Sequence, residues 1–165
     1  MMVYLLGVYH NFQTEPCAEF SEYIRNFCIQ NSIGSIAEEM NRDGLNSLDI
    51  SSTVSVVAHE LGSPHRYCDP CAEERKAKDI LGVNDVDFII WRDELSDDEA
   101  DELHRIHKNK REICWIEKLQ TIYVDPMLFV CGIAHLSTFS KLLNKAGFEA
   151  QILDKRWMPN RSNYS

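Results

Sequence analysis

Short apolar runs separated by polar, turn-forming segments recur along the chain and predict strands. Residues 3–8, 35–40, 126–132 and 149–153 each combine apolar, β-favouring side chains with flanking turn residues. Residues 55–61 and 86–91 are further candidate strands, although residues 55–61 equally suit the start of a helix.

Helical spacing of apolar residues fills the intervals between these runs. The predicted helices cover residues 16–30, 71–81, 96–121 and about 137–147. Pro16 and Pro70 each suit a first helical turn, and Ser96 followed by three acidic residues is typical of a helix start.

Strands separated by helices of this length predict an α/β fold, in which a mostly parallel β-sheet is flanked by helices. The 165 residues, 44% hydrophobic, suit one small domain. We assign residues 1–154 to that domain and residues 155–165 to a polar C-terminal tail, from which Trp157 can pack back.

Side chains capable of chemistry occur where several strands end. His10 follows the first strand, Glu38 and Glu39 end the second, and His135 follows the strand at 126–132. The carboxyl ends of parallel strands share one edge of a sheet, so we expect these side chains to converge there. Adjacent residues of a strand point to opposite faces, and the pattern leaves open whether Glu38 or Glu39 faces the site.

Each histidine ends a Gly-x-x-His segment, GVYH at 7–10 and GIAH at 132–135. A glycine at this spacing lets a ligand or a neighbouring backbone approach closely. Imidazoles and carboxylates act as general acids and bases, and they also bind divalent cations. Two possibilities follow: His10, Glu39 and His135 bind a metal ion of unknown identity, or they activate water directly.

Secondary candidates lie between residues 59 and 71: His59, Glu60, His65, Cys68 and Cys71. If residues 55–61 form a strand, His59 and Glu60 end at the same sheet edge. The other three could supply ligands of a zinc site, with His59 as the fourth. The alternative is a loop and helix start whose thiols are packed or mildly activated.

The net charge and the hydropathy of the chain limit the classes of binding partner that we expect. The net charge of −9 argues against an extended nucleic-acid surface, which needs a basic face. No signal peptide or run of about 18 apolar residues is present, so we expect a cytoplasmic protein that does not engage a membrane. The oligomeric state is left open. Seven carboxylates within residues 93–102 predict an exposed helix start, or a surface for a basic partner.

Four segments carry a resemblance to a known superfamily: YLLGVYH, IAEEM, REICW and LFVCGIAHLSTFSKLLNKAGFEAQIL. Together they resemble the TraB/PrgY, TIKI, ChaN and erythromycin esterase superfamily, while residues 41–101 are unmatched. The resemblance implies an α/β sheet with helices on its faces. It also implies that His10 and His135 are paired active-site histidines, that Glu39 or Glu38 is their acidic partner, and that Arg111 stabilises or orients an anion.

Activities in that superfamily include metal-dependent proteolysis, ester hydrolysis, haem binding and peptide signalling. We therefore expect a small cytoplasmic hydrolase acting on a small-molecule or peptide substrate, with or without a divalent metal ion. The alternative is a noncatalytic protein that holds a small molecule or haem in the same pocket. No Gly-x-Ser-x-Gly or Walker-type motif points to a serine hydrolase or a nucleotide-binding protein.

Overall fold

The computed structural model describes residues 1–159, and their strands form one entirely parallel sheet. The strands are β1 (Met2–Val8), β2 (Ser35–Glu38), β3 (His65–Tyr67), β4 (Met127–Gly132) and β5 (Glu149–Asp154). Their order across the sheet is β3-β2-β4-β1-β5. The predicted α/β fold of one small domain is confirmed, with a sheet that is parallel throughout.

Helices cover both faces of the sheet. They are α1 (His10–Thr14), α2 (Ala18–Gln30), α3 (Arg42–Ser47), α4 (Thr53–Glu60), α5 (Ala72–Ala77), α6 (Val83–Arg92), α7 (Asp97–Gln120) and α8 (Leu136–Lys145). A 3-10 turn, Ile133–His135, joins β4 to α8. Helices α7 and α8 pack on one face, and α2 and α4 pack on the other. Within residues 1–159, no helix combines the length and apolar character needed to cross a membrane.

The central strand β4 is buried along its whole length because both of its faces are covered. Phe129 lies in the layer with Trp115 of α7 and Phe139 of α8. Leu128, one residue earlier, packs in the opposite layer with Phe20 of α2. This alternation explains why the strand is a continuous apolar run in the sequence.

The prediction of a strand at 55–61 is wrong, because these residues belong to helix α4. Val57 and Ala58 follow Val54 by three and four residues, which places all three on one buried face of a helix. Ser52 caps the helix, since its hydroxyl accepts a hydrogen bond from the Ser55 N–H at 3.0 Å.

The candidate strand at 86–91 is also wrong, because these residues lie in helix α6. Asp85 accepts a hydrogen bond from the Gly82 N–H at 3.1 Å and so stabilises the first turn. Val86 is the buried residue of this helix, whereas Phe88 and Trp91 are exposed. The apolar run thus reflects an exposed helix face rather than a buried strand.

The third strand, β3, and the short helix that follows it differ from the sequence expectation. His65–Tyr67 has only three residues, none of them fully buried, so it lacks the apolar signature of a strand. The helix predicted at 71–81 is shorter, Ala72–Ala77.

The start of the C-terminal tail packs back onto the sheet through Trp157. Its side chain is only 6% exposed and lies among Phe12, Phe20 and Tyr23. The Trp157 N–H donates to the Gly7 carbonyl at 2.8 Å. Residues 160–165 of the predicted tail lie outside the described residues.

Replacement of Trp157 by alanine should lower the free energy of unfolding by about 3 kcal/mol, because it removes a large buried ring. Trp91→Ala is the matched control, since Trp91 is 75% exposed, and it should change stability by less than about 0.5 kcal/mol. Urea denaturation measures both. Equal effects of the two substitutions would contradict the packing of Trp157.

Candidate active site

The carboxyl ends of β1, β2 and β4 meet where the chain connections diverge. After β1 and β2 the chain continues into helices α2 and α4 on one face, whereas after β4 it continues into α8 on the other. Neighbouring strands whose connections leave in opposite directions open a crevice at their carboxyl ends, where α/β proteins bind ligands. Three predicted site residues end at this crevice: His10, Glu39 and His135.

The carboxylate of Glu39 is the centre of the site, although the residue is only 3% exposed. Its Oε1 lies 3.0 Å from Nη2 of Arg111, 3.3 Å from Nε2 of His135 and 3.9 Å from Nε2 of His10. Its Oε2 accepts a hydrogen bond from the Gly132 N–H at 2.8 Å. The structure thus brings together His10, Glu39, Arg111 and His135 from four separate segments.

Arg111 holds Glu39 in place and is itself held by Asp69. Its Nε donates to Asp69 Oδ1 at 2.9 Å, and Asp69 Oδ2 accepts from Nη2 of Arg75 at 2.5 Å. Burial alone would lower the pKa of Arg111, but the carboxylates of Asp69 and Glu39 raise it overall. The guanidinium is therefore a fixed cation beside Glu39, and two carboxylates already offset its charge.

His135 is fixed in one orientation by Glu112 of helix α7. Its Nδ1 lies 2.8 Å from Glu112 Oε1, which also accepts from the Thr138 hydroxyl at 2.6 Å. Because a carboxylate only accepts, Nδ1 carries the hydrogen of this bond. The imidazole also packs against Trp115, with ring centroids 4.7 Å apart. Its other nitrogen, Nε2, is thereby directed at Glu39.

Glu112 is fully buried, and its Oε2 has no hydrogen-bond donor among residues 1–159. An unsatisfied buried acceptor costs about 1–3 kcal/mol. The buried Glu112 carboxylate therefore lowers the stability of the fold, while it aligns the imidazole of His135.

His10 is the accessible member of the site. Its side chain is 58% exposed, in contrast to 10% for His135. It is the first residue of α1, immediately beyond β1, and its Nε2 faces Glu39. A substrate or a water molecule can reach His10 from solvent.

The two Gly-x-x-His glycines meet different requirements. A Cβ atom at Gly132 would lie 3.1 Å from His10 Nε2 and 3.2 Å from Glu39 Oε2, so this glycine makes room for the site. A Cβ atom at Gly7 would clash with the Leu136 side chain and would lie 2.8 Å from the Lys155 carbonyl oxygen, so that glycine makes room for both the start of α8 and the returning tail.

Glu38 lies in a second polar cluster, on the α2 and α4 side of the sheet. It is fully buried and accepts hydrogen bonds from Gln13 Nε2 at 3.0 Å and from the Ser52 hydroxyl. Nε2 of His65 lies 2.9 Å from its Oε1. The sequence left open which of the two glutamates lies beside His10 and His135. In the structure this residue is Glu39, whereas Glu38 contacts Gln13, Ser52 and His65.

The other secondary candidates do not join the site. His59 and Glu60 lie at the exposed end of α4, where Glu60 pairs with Arg25. Cys68 is buried in the core, and burial raises the pKa of its thiol to about 12. Cys71 caps helix α5 by accepting a hydrogen bond from the Glu74 N–H.

The donor set fits a metal ion poorly. Among residues 1–159, no three His, Cys, Asp or Glu side chains form a metal-binding group. Both oxygens of Glu39 are engaged, one by the Arg111 guanidinium and one by the Gly132 N–H. Metal binding by His10, Glu39 and His135 stays a prediction.

A cysteine at the edge of the site is not a nucleophile. Cys131 directly precedes Gly132 in β4 and is fully buried. Burial, followed by the negative charges of Glu39 and Glu112, raises the pKa of its thiol well above the usual value. A thiolate is the reactive form of cysteine, so covalent chemistry through Cys131 is disfavoured.

Sequence reasoning missed two carboxylates of the site. Glu112 directly follows Arg111 in the REICW segment, but a helical glutamate ordinarily pairs with its neighbours or faces solvent. Asp69 directly precedes Pro70 at the predicted helix start, but its carboxylate binds Arg75 and Arg111. Both roles depend on tertiary contacts of α7: Glu112 of α7 contacts His135 in the 3-10 turn, and Arg111 of α7 contacts Asp69 in the loop after β3.

A cavity of about 190 Å³ adjoins the site between the α6–α7 hairpin and the 3-10 turn, and both Arg111 and His135 line it. Nδ1 of His107, another lining residue, accepts a hydrogen bond from the Leu81 N–H at 3.0 Å. Burial, and secondarily the charge of Lys110, lowers the pKa of His107. The neutral ring thus fixes the entry to α6.

No protein-family model, curated protein or solved structure matches the chain significantly. The superfamily resemblance therefore stays a hypothesis.

Gly132→Ala should displace the His10 ring while the fold is retained, because the new methyl group occupies space beside His10 Nε2 and Glu39 Oε2. Gly44→Ala is the matched control, since the nearest atom to its new Cβ would be 4.0 Å away. NMR spectra of the histidine rings should show shifted His10 signals in the first variant only. Unchanged His10 signals in Gly132→Ala would contradict the geometry.

His107 should also make stability depend on pH. Because its folded-state pKa lies below the ordinary 6.5, its contribution is complete above pH 6.5 and is lost as the pH falls through the lower value. His107→Asn keeps an acceptor for the Leu81 N–H but does not titrate. The stability advantage of the natural protein over His107→Asn should therefore shrink below pH 6.5, as measured by urea denaturation. A pH-independent difference would rule out this coupling.

Proposed function

We propose that the protein is a hydrolase that cleaves a carboxylic ester, with His10 as general base. The supporting observation is the convergence of His10, Arg111 and His135 on the buried carboxylate of Glu39 at the topological switch point. Such a network requires the burial of several charged groups, and the desolvation of those groups costs free energy that apolar packing at the same positions would not. Clusters of this kind are typical of active sites.

In the proposed reaction, Nε2 of His10 faces the Glu39 carboxylate and carries the ring hydrogen, and the other ring nitrogen, Nδ1, accepts a proton from a water molecule. The oxygen of that water attacks the carbonyl carbon of the ester. The positive charge of Arg111 stabilises the oxyanion that develops. The bond between the acyl carbon and the alcohol oxygen then breaks. His10 returns the proton to the departing alkoxide, giving a carboxylic acid and an alcohol.

The remaining site residues position these groups. The carboxylate of Glu39 faces Nε2 of His10, while Glu112 holds Nε2 of His135 near the same Glu39 oxygen. Asp69 anchors Arg111. Because Asp69 and Glu39 partly neutralise Arg111, it supplies an oriented cation rather than a free anion-binding group.

The superfamily resemblance is compatible with this proposal, because ester hydrolysis is one activity expected from it. A noncatalytic role in binding a small molecule uses the same residues, and it is the alternative if no turnover occurs. The cavity beside His135 does not favour haem, since about 190 Å³ is below the roughly 300–1,000 Å³ of pockets for drug-sized ligands. We further propose that the protein acts in the cytoplasm.

His10→Ala should lower kcat/KM for p-nitrophenyl esters by about 10²- to 10⁴-fold, the usual contribution of a general base. Stability should change by less than about 0.5 kcal/mol, because His10 is largely exposed. His59→Ala, which changes an exposed histidine outside the site, is the control and should retain full activity. Ester turnover that survives in His10→Ala would overturn the proposal.

A further inference from the structure

We infer that the cavity between the α6–α7 hairpin and the 3-10 turn receives the apolar acyl group of the substrate, a chain of about six to eight carbons. This inference rests on the proposed ester hydrolysis and specifies its substrate class. It also predicts that the carboxylate product binds in the same place, which can be tested without turnover.

The wall of the cavity is apolar where the chain would lie. Four residues form that wall: Leu81, Val83, Val86 and Ala134. Val86 is 1% exposed and forms a fixed part of it, whereas Val83 is 58% exposed and lies at the rim. The free energy falls when an alkyl chain covers an apolar surface that is otherwise in contact with water.

The volume sets the length of the chain. An apolar cavity of about 150 Å³ in another protein holds the six carbons of benzene. By that scale the present cavity, about 190 Å³, accommodates about seven or eight carbons. Longer chains would extend past the rim into solvent.

The remaining lining residues are His104, His107, Lys108, Arg111 and His135. The His107 ring is neutral, and carboxylates lie beside His104, Arg111 and His135, so the Lys108 ammonium is the cation of the cavity that is available to an anion. The Lys108 ammonium group lies at the rim, where it donates to the Ala134 carbonyl. Its other two N–H groups can bind an anion. An apolar pocket with an ammonium group at its rim complements an alkyl carboxylate.

The position of the cavity also matches the proposed reaction. Arg111 and His135 line it, and both contact Glu39. An acyl chain in the cavity would therefore place its carbonyl group beside Arg111 and His135, on the side of the site that faces Glu39.

Binding of octanoate, measured by isothermal titration calorimetry, is the first test. Octanoate should bind to the natural protein, and Val83→Trp should weaken that binding at least tenfold by filling the cavity. Val56→Trp, at another exposed helical valine that does not line the cavity, should leave it unchanged. Ala134→Leu narrows the cavity from the opposite wall and should repeat the effect of Val83→Trp.

The charge of the rim is tested with octanoate and octanol as paired ligands. Lys108→Gln should weaken the binding of octanoate several-fold and leave that of octanol unchanged. Lys141→Gln, at an exposed lysine of α8, is the control and should affect neither ligand. If octanoate fails to bind the natural protein, or binds Val83→Trp and Ala134→Leu as tightly, the cavity does not take an acyl chain.

Turnover separates this inference from the proposed function. Across p-nitrophenyl esters, kcat/KM should rise about threefold to fourfold per methylene from acetate to octanoate, as expected for burial of each group. It should be flat in Val83→Trp. Cavity-dependent octanoate binding without ester cleavage would support the acyl pocket and overturn the hydrolase. His10-dependent cleavage without chain-length dependence would support the hydrolase and overturn the acyl pocket.

Discussion

The ion pair between Glu39 and Arg111 is the interaction on which the arrangement of the site depends. A carboxylate that is almost completely buried needs a cation close by, and the guanidinium supplies it at 3.0 Å. Arg111 is buried in turn and needs a second anion, Asp69, which also binds Arg75. This chain of opposite charges connects β2, the loop after β3 and helix α7. Removal of one member would leave its neighbour buried without a partner.

Strand β4 explains why these groups meet in so small a domain. It lies between β1 and β2, so the ends of all three strands are adjacent. The connection after β4 leaves on the opposite face of the sheet from the connections after β1 and β2. The crevice at the carboxyl ends of these three strands is therefore not filled by a connecting helix. The buried centre of the sheet therefore fixes the spacing of His10, Glu39 and His135, while the crevice leaves His10 accessible.

The fold and half of the site could be predicted from the sequence. Apolar runs locate β1, β2, β4 and β5, because those strands pack between helices or end at conspicuous turns. The same reasoning failed at α4 and α6, since a run of valines or isoleucines without clear periodicity suits either element. His10, His135 and the adjacent pair Glu38 and Glu39 follow from strand ends, although the pattern does not decide which glutamate faces the site. Glu112 and Asp69 do not, because their roles depend on contacts between α7 and residues 23 to 42 positions away.

Glu38 provides an internal comparison for the functional interpretation of Glu39. Both carboxylates belong to one strand end, and both are removed from solvent. Glu38 is enclosed by hydrogen-bond donors from Gln13, Ser52 and His65, so its surroundings are those of a structural polar group. Glu39 instead contacts a fixed imidazole and faces a solvent-exposed one, next to a cavity that Arg111 and His135 line. Burial alone does not separate the two residues. What separates them is the accessibility of the neighbouring imidazole: His10 beside Glu39 is 58% exposed, whereas His65 beside Glu38 is 15% exposed.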